Sequence, residues 1–352
     1  MTRLALIGLG MMGANHLRVL SELDGVELVA VCDQNPELVR AAARRTSSTG
    51  YVSWADMLDR ERLDAAVVAV PTRFHLEVGL AVIEHGLHVL VEKPIATGLD
   101  EGRRLVRAAQ QAGKVLAVGH IERFNPAVRE MERRLAAGDV GRIFQIQARR
   151  VGPFPARIRD VGVVIDLATH DLDVMSRLAG SEVQHLYAET EQRIHTDHED
   201  ILNALLKFDG GMLGVLQVNW LTPTKIREIS VLGENGMLVC NYLTQDLAHF
   251  RNAEVLPRRE TRRRPRAVRE GERKSFPVDR AEPLRLELQS FVEAVRGEHP
   301  VDTDGEAGLR TLHLALGLVR SATESRVLGK DDLRALWNGS IPLADHPAGD
   351  DL

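Results

Sequence analysis

Apolar and polar positions along the first 120 residues form two kinds of segment that alternate. Apolar runs of four to six residues, rich in Val, Ile, Leu and Ala, are typical of strands buried on both faces. These predicted strands are Leu4–Ile7, Leu28–Cys32, Ala65–Val70, His88–Val91 and Val115–Val118. The segments between them carry helix signals, with Asn35-Pro36 and Ser53 at starts and Gly86 and Gly113 at stops. This order predicts a parallel sheet with helices on both faces.

The pattern changes after about residue 120. A helix over Pro126–Ala137, a strand over Ile143–Val151 and a helix over Val163–Leu178 are predicted first. Five strand-like runs then follow at short spacing, separated by turn sequences, which indicates an antiparallel sheet. They are His185–Glu189, Ile201–Phe208, Gly214–Trp220, Glu228–Leu232 and Met237–Tyr242. Two helices, Pro283–Val295 and Glu306–Thr323, close this region.

Length and composition fit two domains of a globular protein. The chain has 352 residues, of which 44% are hydrophobic and 27% charged. We predict an α/β domain over 1–120, an α+β domain with an open, mostly antiparallel sheet over 121–335, and a polar tail over 336–352. The net charge of −5 argues against a nucleic-acid or anionic-membrane partner. The sequence contains no run of about 18 apolar residues, so we predict no membrane span.

The cysteines and the N-terminal residues indicate the cellular compartment of the protein. Cys32 and Cys240 lie 208 positions apart in apolar runs, which favours two buried, reduced thiols. The first ten residues lack the pattern of a signal peptide. We therefore expect a cytoplasmic protein.

Two charged segments are open to more than one interpretation. Residues 251–274 hold ten basic residues against four acidic ones, so this segment could bind a phosphate or polyanion, or form a solvated hairpin loop at the sheet edge. The run from His195 to Asp200 resembles a metal-ligand cluster but lies in a polar turn before a strand. We favour a loop in both cases and predict no metal site.

A glycine motif follows the first predicted strand and opens a helix. It reads Gly8-Leu9-Gly10-Met11-Met12-Gly13. Gly8 permits the tight turn, Gly10 lets a pyrophosphate approach the backbone, and Gly13 lets the helix pack against the strand. Asp33 ends the second strand 20 residues after Gly13, the spacing of an acid that binds ribose hydroxyls. Because a carboxylate there repels a 2′-phosphate, the motif predicts NAD rather than NADP.

Three residues are candidates for proton chemistry. Lys93 is one of only six lysines among 45 basic residues, and it follows the predicted strand His88–Val91 at the edge where such sheets bind ligands. The alternative interpretation of Lys93 is a lysine at a strand end whose side chain extends into solvent. Asp166 and His170 are four residues apart in a predicted helix and so share a face. A carboxylate beside an imidazole can hold a hydroxyl and take its proton, although an exposed pair or two metal ligands would have the same spacing.

The motifs in this order resemble a known family. GLGMMG, the VAVPTRFH run at 68–75, VEKP at 91–94 and DLATHD at 166–171 resemble the glucose-fructose oxidoreductase / inositol dehydrogenase (Gfo/Idh/MocA) family of nicotinamide-dependent sugar dehydrogenases. The resemblance covers about residues 1–330. It implies a Rossmann domain and a second domain whose open sheet face makes a homodimer or homotetramer interface.

The resemblance also assigns roles to residues. Lys93 is similar to the family's catalytic lysine, and Asp166 and His170 to its acid–histidine pair. It implies that cofactor contacts extend beyond the glycine motif to four further residues. They are Pro71, Thr72 and His75 on the nicotinamide side, and Glu92 near the ribose.

The substrate follows from two further segments. GHIERFNP at 119–126 and RIRDVGV at 157–163 look most like family members that oxidise UDP-N-acetylglucosamine at its 3-hydroxyl. Arg123, Asn125 and Arg159 would then lie on the substrate side. The chain lacks the GGG stretch that many relatives carry before the Asp, which favours the nucleotide-sugar branch. Two alternatives stay open: a dehydrogenase of inositol or another free polyol, and a non-catalytic NAD-binding regulator.

Overall fold

The computed structural model describes residues 1–154, 161–194, 197–253 and 270–340. Its N-terminal part is a six-stranded parallel sheet in the order β3-β2-β1-β4-β5-β6. The strands are β1 (Thr2–Ile7), β2 (Val26–Cys32), β3 (Thr49–Tyr51), β4 (Ala65–Val68), β5 (His88–Glu92) and β6 (Leu116–Gly119). The helices are α1 (Met11–Leu20), α2 (Pro36–Thr46), α3 (Trp54–Arg60), α4 (His75–Glu84) and α5 (Leu99–Ala112). The predicted Rossmann fold is confirmed.

Both faces of this sheet are buried, as the continuous apolar runs predicted. Leu4 and Leu6 of β1 pack on one face, and Ala5 and Ile7 on the other. The strand order reverses between β1 and β4, which opens a crevice at the carboxyl ends of these strands. β3 was not predicted because three residues are too short to show a pattern.

The second part is a mixed, mostly antiparallel sheet of eight strands in the order β14-β13-β12-β11-β7-β10-β9-β8. The strands are β7 (Ile143–Val151), β8 (Val183–Glu191), β9 (Ile201–Phe208), β10 (Leu213–Asn219), β11 (Ile226–Gly233), β12 (Gly236–Asn241), β13 (Asp246–Arg251) and β14 (Arg273–Phe276). All neighbours are antiparallel except β7 and β10, which pair in parallel. The open, mostly antiparallel sheet is confirmed.

Five helices accompany this sheet in the described part of the chain. They are α6 (Pro126–Ala136), α7 (Thr169–Ala179), α8 (Pro283–Val295), α9 (Gly305–Glu324) and α10 (Lys330–Trp337). α8 contributes Leu288 and Phe291 to the core on one face of the parallel sheet, and α9 contributes Leu309 and Leu312 to the core on the other. The division at residue 120 stays a prediction, but these two C-terminal helices complete the N-terminal cores.

The structure agrees with one expectation about the C-terminal half and corrects another. The basic segment 251–274 contains the end of β13 and the start of β14, which pair as an antiparallel hairpin at the sheet edge. Residues 254–269 of that segment lie outside the described residues. The tail predicted from residue 336 begins too early, because Leu336 of α10 is 2% exposed and belongs to a core. Residues 341–352 also lie outside the described part.

Cys32 and Cys240 are buried free thiols, as predicted. Burial, reinforced by the nearby Asp33 carboxylate, raises the pKa of Cys32 to about 12, so this thiol stays protonated. Among the described residues, no helix is both long and apolar enough to span a membrane.

Candidate active site

A cleft of about 1270 Å³ lies at the carboxyl end of the parallel sheet. Gly8 and Gly10 line it where β1 turns into α1. Lys93 lines it directly after β5, and Asp166 and His170 line it just before and within α7. The structure thus brings the two groups of sequence-predicted site residues into one cavity.

The glycine turn is built to admit a bulky anion. Gly8 has φ +96°, and a Cβ there would lie 2.5 Å from the carbonyl oxygen of Ala69. A Cβ on Gly13 would lie 2.0 Å from the carbonyl oxygen of Gly8, so α1 packs directly on the turn. A Cβ on Gly10 would meet no atom within 4 Å, which leaves open space before the start of α1. No side chain of the described residues caps this helix, so its first N–H groups can bind a phosphate.

Asp33 connects the end of β2 to this turn. The backbone N–H of Leu9 donates to Asp33 Oδ2 at 2.7 Å, and that of Asn35 donates to Oδ1 at 2.8 Å. Asp33 lines the cleft, as do Met11 and Met12. Each carboxylate oxygen has a second lone pair, so two backbone bonds leave Asp33 able to accept ribose hydroxyls. These residues fit a pyridine dinucleotide with its pyrophosphate at α1.

Lys93 and Asp166 form the centre of the site. Lys93 Nζ donates to the carbonyl oxygen of Asp166 at 2.6 Å and to its Oδ1 at 3.1 Å. Their side chains are 14% and 22% exposed, so both reach the cleft. Asp166 lies in a π-helical turn, Val164–Ala168, that precedes α7. In this structure the Asp166 carboxylate binds Lys93, and no Asp166–His170 hydrogen bond is present among the described residues, so the acid–histidine pair stays a prediction.

His170 lies beside this pair and is held uncharged. Burial and the positive charges of Lys93, Arg150 and Arg227 lower the pKa of His170 well below its ordinary value. Its Nδ1 is buried and makes no hydrogen bond within the described residues. A neutral imidazole is a proton acceptor, so the site presents a base next to an ammonium–carboxylate pair.

His75 and Glu92 line the cleft, but neighbouring groups already bind their polar atoms. The ring nitrogens of His75 lie 2.9 Å from the carbonyl oxygens of Val70 and Pro94, and Lys93–Pro94 is a cis peptide. The buried Glu92 carboxylate is hydrogen bonded to His16 at 2.7 Å. We conclude that these two residues fix the ends of β4 and β5. Pro71 and Thr72 also line the cleft.

The turn that resembles a metal cluster instead supports the active-site helix. The Glu199 carboxylate accepts the Val164 N–H at 3.1 Å, and its carbonyl accepts the Val163 N–H at 3.0 Å. His198 and Asp200 are buried, so this part of the turn is not solvated as expected. His195 lies outside the described residues, and among those described no group of three or more His, Cys, Asp and Glu side chains could hold a metal.

Arg123 does not serve as a substrate-side guanidinium in this structure. It is buried, donates to both carboxylate oxygens of Asp173, and donates to the carbonyl oxygen of Asp302 at 2.8 Å. Asn125 lines the cleft, but its Nδ2 donates to the carbonyl oxygen of Tyr242 and its Oδ1 accepts the Ala127 N–H that begins α6. Both side chains are therefore structural. The third predicted substrate residue, Arg159, lies outside the described residues.

The sequence reasoning missed a second buried cluster behind the site. Arg150 of β7 is 1% exposed and donates to Asp171 at 2.6 Å and to Glu122 at 3.0 Å. Opposite it in the register, Arg227 of β11 lines the cleft. Strand alternation could have found both, because Arg150 follows Ile146 and Ala148 on the inward face.

Comparison with protein families agrees with this architecture. A model of an oxidoreductase family with an NAD-binding Rossmann fold matches residues 2–120, and a model of the Gfo/Idh/MocA C-terminal domain matches residues 128–239. A myo-inositol dehydrogenase from Streptomyces leeuwenhoekii is 31% identical and is covered over 75% of its length. The chain belongs to the Gfo/Idh/MocA family. It is thus an oxidoreductase of the nicotinamide-dependent kind, as predicted.

Other relatives within the family bear different substrate names. UDP-N-acetylglucosamine 3-dehydrogenase of Acidithiobacillus ferrooxidans is 29% identical over 92% of this chain and 97% of its own. A solved structure of it superimposes with a TM-score of 0.81 at 25% identity and covers 95% of this chain and 99% of its own. The WlbA dehydrogenase from Bordetella pertussis, in complex with NADH and UDP-GlcNAcA, has a TM-score of 0.77 at 28% identity, with 93% and 98% of the chains covered.

Proposed function

We propose that this protein is an NAD-dependent dehydrogenase that oxidises a sugar hydroxyl, the 3-hydroxyl of a UDP-N-acetylhexosamine such as UDP-N-acetylglucosamine. One observation carries the proposal. Lys93, Asp166 and His170 meet in the same cleft that begins at the uncapped helix behind Gly10. A dinucleotide bound at that helix would extend toward a group of residues able to remove a hydroxyl proton.

Recognition of the cofactor rests on the turn and on Asp33. The free N–H groups of α1 would hold the pyrophosphate, and Pro71 and Thr72 would border the nicotinamide. We propose NAD over NADP because the Asp33 carboxylate would repel a 2′-phosphate. When bound, this cofactor supplies the hydride acceptor.

Proton handling falls to three side chains. His170 is neutral and has no hydrogen-bond partner within the described residues, so we assign it the substrate proton. Lys93 donates a hydrogen bond to the hydroxyl oxygen and stabilises negative charge as it develops there. Asp166 fixes Lys93 through two contacts to its Nζ. In this arrangement His170 is the principal base and Lys93 the electrostatic partner.

The test is a panel of NAD and NADP reduction rates measured with UDP-N-acetylglucosamine, myo-inositol and glucose. We expect reduction of NAD with UDP-N-acetylglucosamine and a much lower rate with NADP. Activity with myo-inositol and none with the nucleotide sugar would reverse the choice of substrate. Binding of NAD without turnover on any hydroxyl compound would favour the regulator instead.

A polyol substrate is the second candidate. A scyllo-inositol 2-dehydrogenase from Bacillus subtilis is 27% identical over 92% of this chain and 93% of its own. These two relatives, which cover the same share of this chain, differ by only two percentage points of identity. The buried state of Arg123 also removes one cation that we expected to bind a diphosphate.

We further propose that the protein is a homodimer or homotetramer associated through the open face of the second sheet. Large apolar side chains lie exposed at outward positions of β9, β10, β11 and β13. They are Leu205, Leu213, Leu232 and Phe250, which are 56%, 44%, 40% and 37% exposed. A row of such residues across a sheet is a feature of interaction surfaces rather than of solvated faces.

A further inference from the structure

Arg227 lies in the wall of the cleft, near the proton-handling residues. It occupies the inward-facing position of β11 that is two residues before the buried Ile229. It is half-buried and lines the same cavity as Lys93, Asp166 and His170. Its positive charge contributes to lowering the pKa of His170.

The neighbouring strand places a second arginine directly opposite. Arg227 pairs with Arg150 in the β7–β11 register, and like charges in that position destabilise a sheet unless they are compensated. Arg150 is compensated twice, by Asp171 and by Glu122. Asp166, a third carboxylate whose charge acts on Arg227, is bound by Lys93. The carboxylates of the site thus form ion pairs with Lys93 and Arg150.

Arg227 makes no ion pair and no side-chain hydrogen bond with the residues that the structure describes. Burial and the charge of Arg150 lower its pKa, yet a guanidinium stays charged in a protein. Tyr242, whose backbone N–H donates to the Arg227 carbonyl at 3.0 Å, lines the same wall, and its buried hydroxyl has no partner in the described chain. Two polar groups in one cleft wall thus have no partner among the residues that the structure describes.

We propose that Arg227 is a specificity-determining residue that binds an anionic group of the substrate, with oxygen atoms of a carboxylate or a phosphate as its acceptors. This rests on the proposed function, since it concerns the same site. Arginine binds either group with two parallel hydrogen bonds. Two sources are possible in a nucleotide sugar: a carboxylate on the sugar ring and the diphosphate.

Kinetics of Arg227→Gln and Arg227→Lys separate these sources. UDP-N-acetylglucosaminuronic acid carries both anions, UDP-N-acetylglucosamine only the diphosphate, and myo-inositol neither. For a ring carboxylate, kcat/KM of Arg227→Gln should fall roughly 10- to 100-fold with the uronic acid alone. If Arg227 instead binds the diphosphate, kcat/KM of Arg227→Gln should fall by the same factor with both nucleotide sugars. Arg227→Lys should recover part of the loss, and Arg107→Gln, an exposed arginine on α5, should match the wild type. Equal rates or an equal loss with all three substrates would overturn the proposal.

A binding measurement keeps this inference apart from the proposed function. If the wild type oxidises no nucleotide sugar, that function fails, but the anion site can still be probed in the NAD-loaded enzyme. Sodium glucuronate or inorganic phosphate should raise the Tm, glucose should not, and Arg227→Gln should lose the response. A wild-type Tm that neither anion changes would overturn the anion site.

Discussion

Lys93 Nζ lies 3.1 Å from Asp166 Oδ1 and 2.6 Å from the carbonyl oxygen of the same residue. One aspartate therefore holds the ammonium group through two oxygens, across 73 positions of sequence. The carboxylate that we expected to orient His170 is engaged elsewhere. The base and the cation of the site therefore do not share this carboxylate, although the charge of Lys93 still lowers the pKa of His170.

Replacing Lys93 by Met should abolish turnover and leave NAD binding intact. The variant loses the group that stabilises negative charge on the substrate oxygen, so kcat should fall about 10²- to 10⁴-fold. The Kd for NAD, measured by fluorescence titration, should stay within about twofold of the wild type, because the pyrophosphate contacts lie at α1. Lys114→Met, a lysine outside the cleft, is the control. Weakened NAD binding with normal turnover would contradict the assignment.

The pH profile should report a weakly basic His170. Burial and the charges of Lys93, Arg150, Arg227 and His120 lower its pKa well below the ordinary value. The imidazole therefore takes up a proton only in acid, and the acid limb of kcat/KM should lie below pH 6.5. His170→Asn should remove this limb together with most of the activity. An acid limb at or above pH 7 that His170→Asn abolishes would refute a neutral resting imidazole.

Removal of Arg123 should affect stability rather than substrate affinity. Arg123→Met leaves the buried Asp173 carboxylate without its bidentate partner, which costs about 3–5 kcal/mol of unfolding free energy. Arg133→Met removes only an exposed pair on α6 and should change stability by less than about 1 kcal/mol. Chemical denaturation of both variants checks this. An unchanged stability with a tenfold higher KM would return Arg123 to the substrate side.

Local sequence patterns were sufficient for much of the fold but not for the pairing of charges. The strand runs and the motif from Gly8 to Gly13 depend on neighbours in sequence, and the structure has them as predicted. β13 and β14 were missed because Asp246–Arg251 and Arg273–Phe276 mix charged and apolar residues and lie at or near the sheet edge.

The site residues show the same limit. The burial of Arg123 depends on Asp173, 50 positions away, and the lack of an ion pair at Arg227 within the described chain depends on which carboxylates bind Arg150. Which charged side chains pair follows from how the two sheets pack around α7, and residue spacing in the sequence does not predict it. Motif-based assignment worked best for Lys93, whose place at a strand end is set by topology.

The open face of the second sheet should hold the oligomer together. Leu205→Glu with Leu232→Lys places charges in that face without disturbing the core, since both side chains are at least 40% exposed. Light scattering after size exclusion should show the wild type as a dimer or tetramer and the double variant as a monomer. Val327→Glu, an exposed apolar residue in the connection between α9 and α10, is the control. A monomeric wild type would contradict the interface.

Glu287 of α8 should make stability fall as the pH rises. Both of its oxygens are buried without a partner in the described chain, and burial followed by the charges of Glu92 and Asp173 raises its pKa well above the ordinary value. The folded protein keeps this proton above about pH 4.3, where the unfolded chain releases it, so unfolding becomes easier with increasing pH. Each pH unit in that window should lower the free energy of unfolding by up to about 1.4 kcal/mol. The stabilisation is fully lost once the pH passes the raised pKa of Glu287.

Glu287→Gln should abolish that dependence, because an amide has no proton to release. From pH 5 to pH 8, the Tm of the variant should rise relative to that of the wild type, with the smallest difference at pH 5. Glu293→Gln, on the same helix but half-exposed, should follow the wild type. Parallel curves for Glu287→Gln and the wild type would mean that Glu287 ionises normally. Its environment behind the β5 end would then have to contain a donor that stabilises the carboxylate.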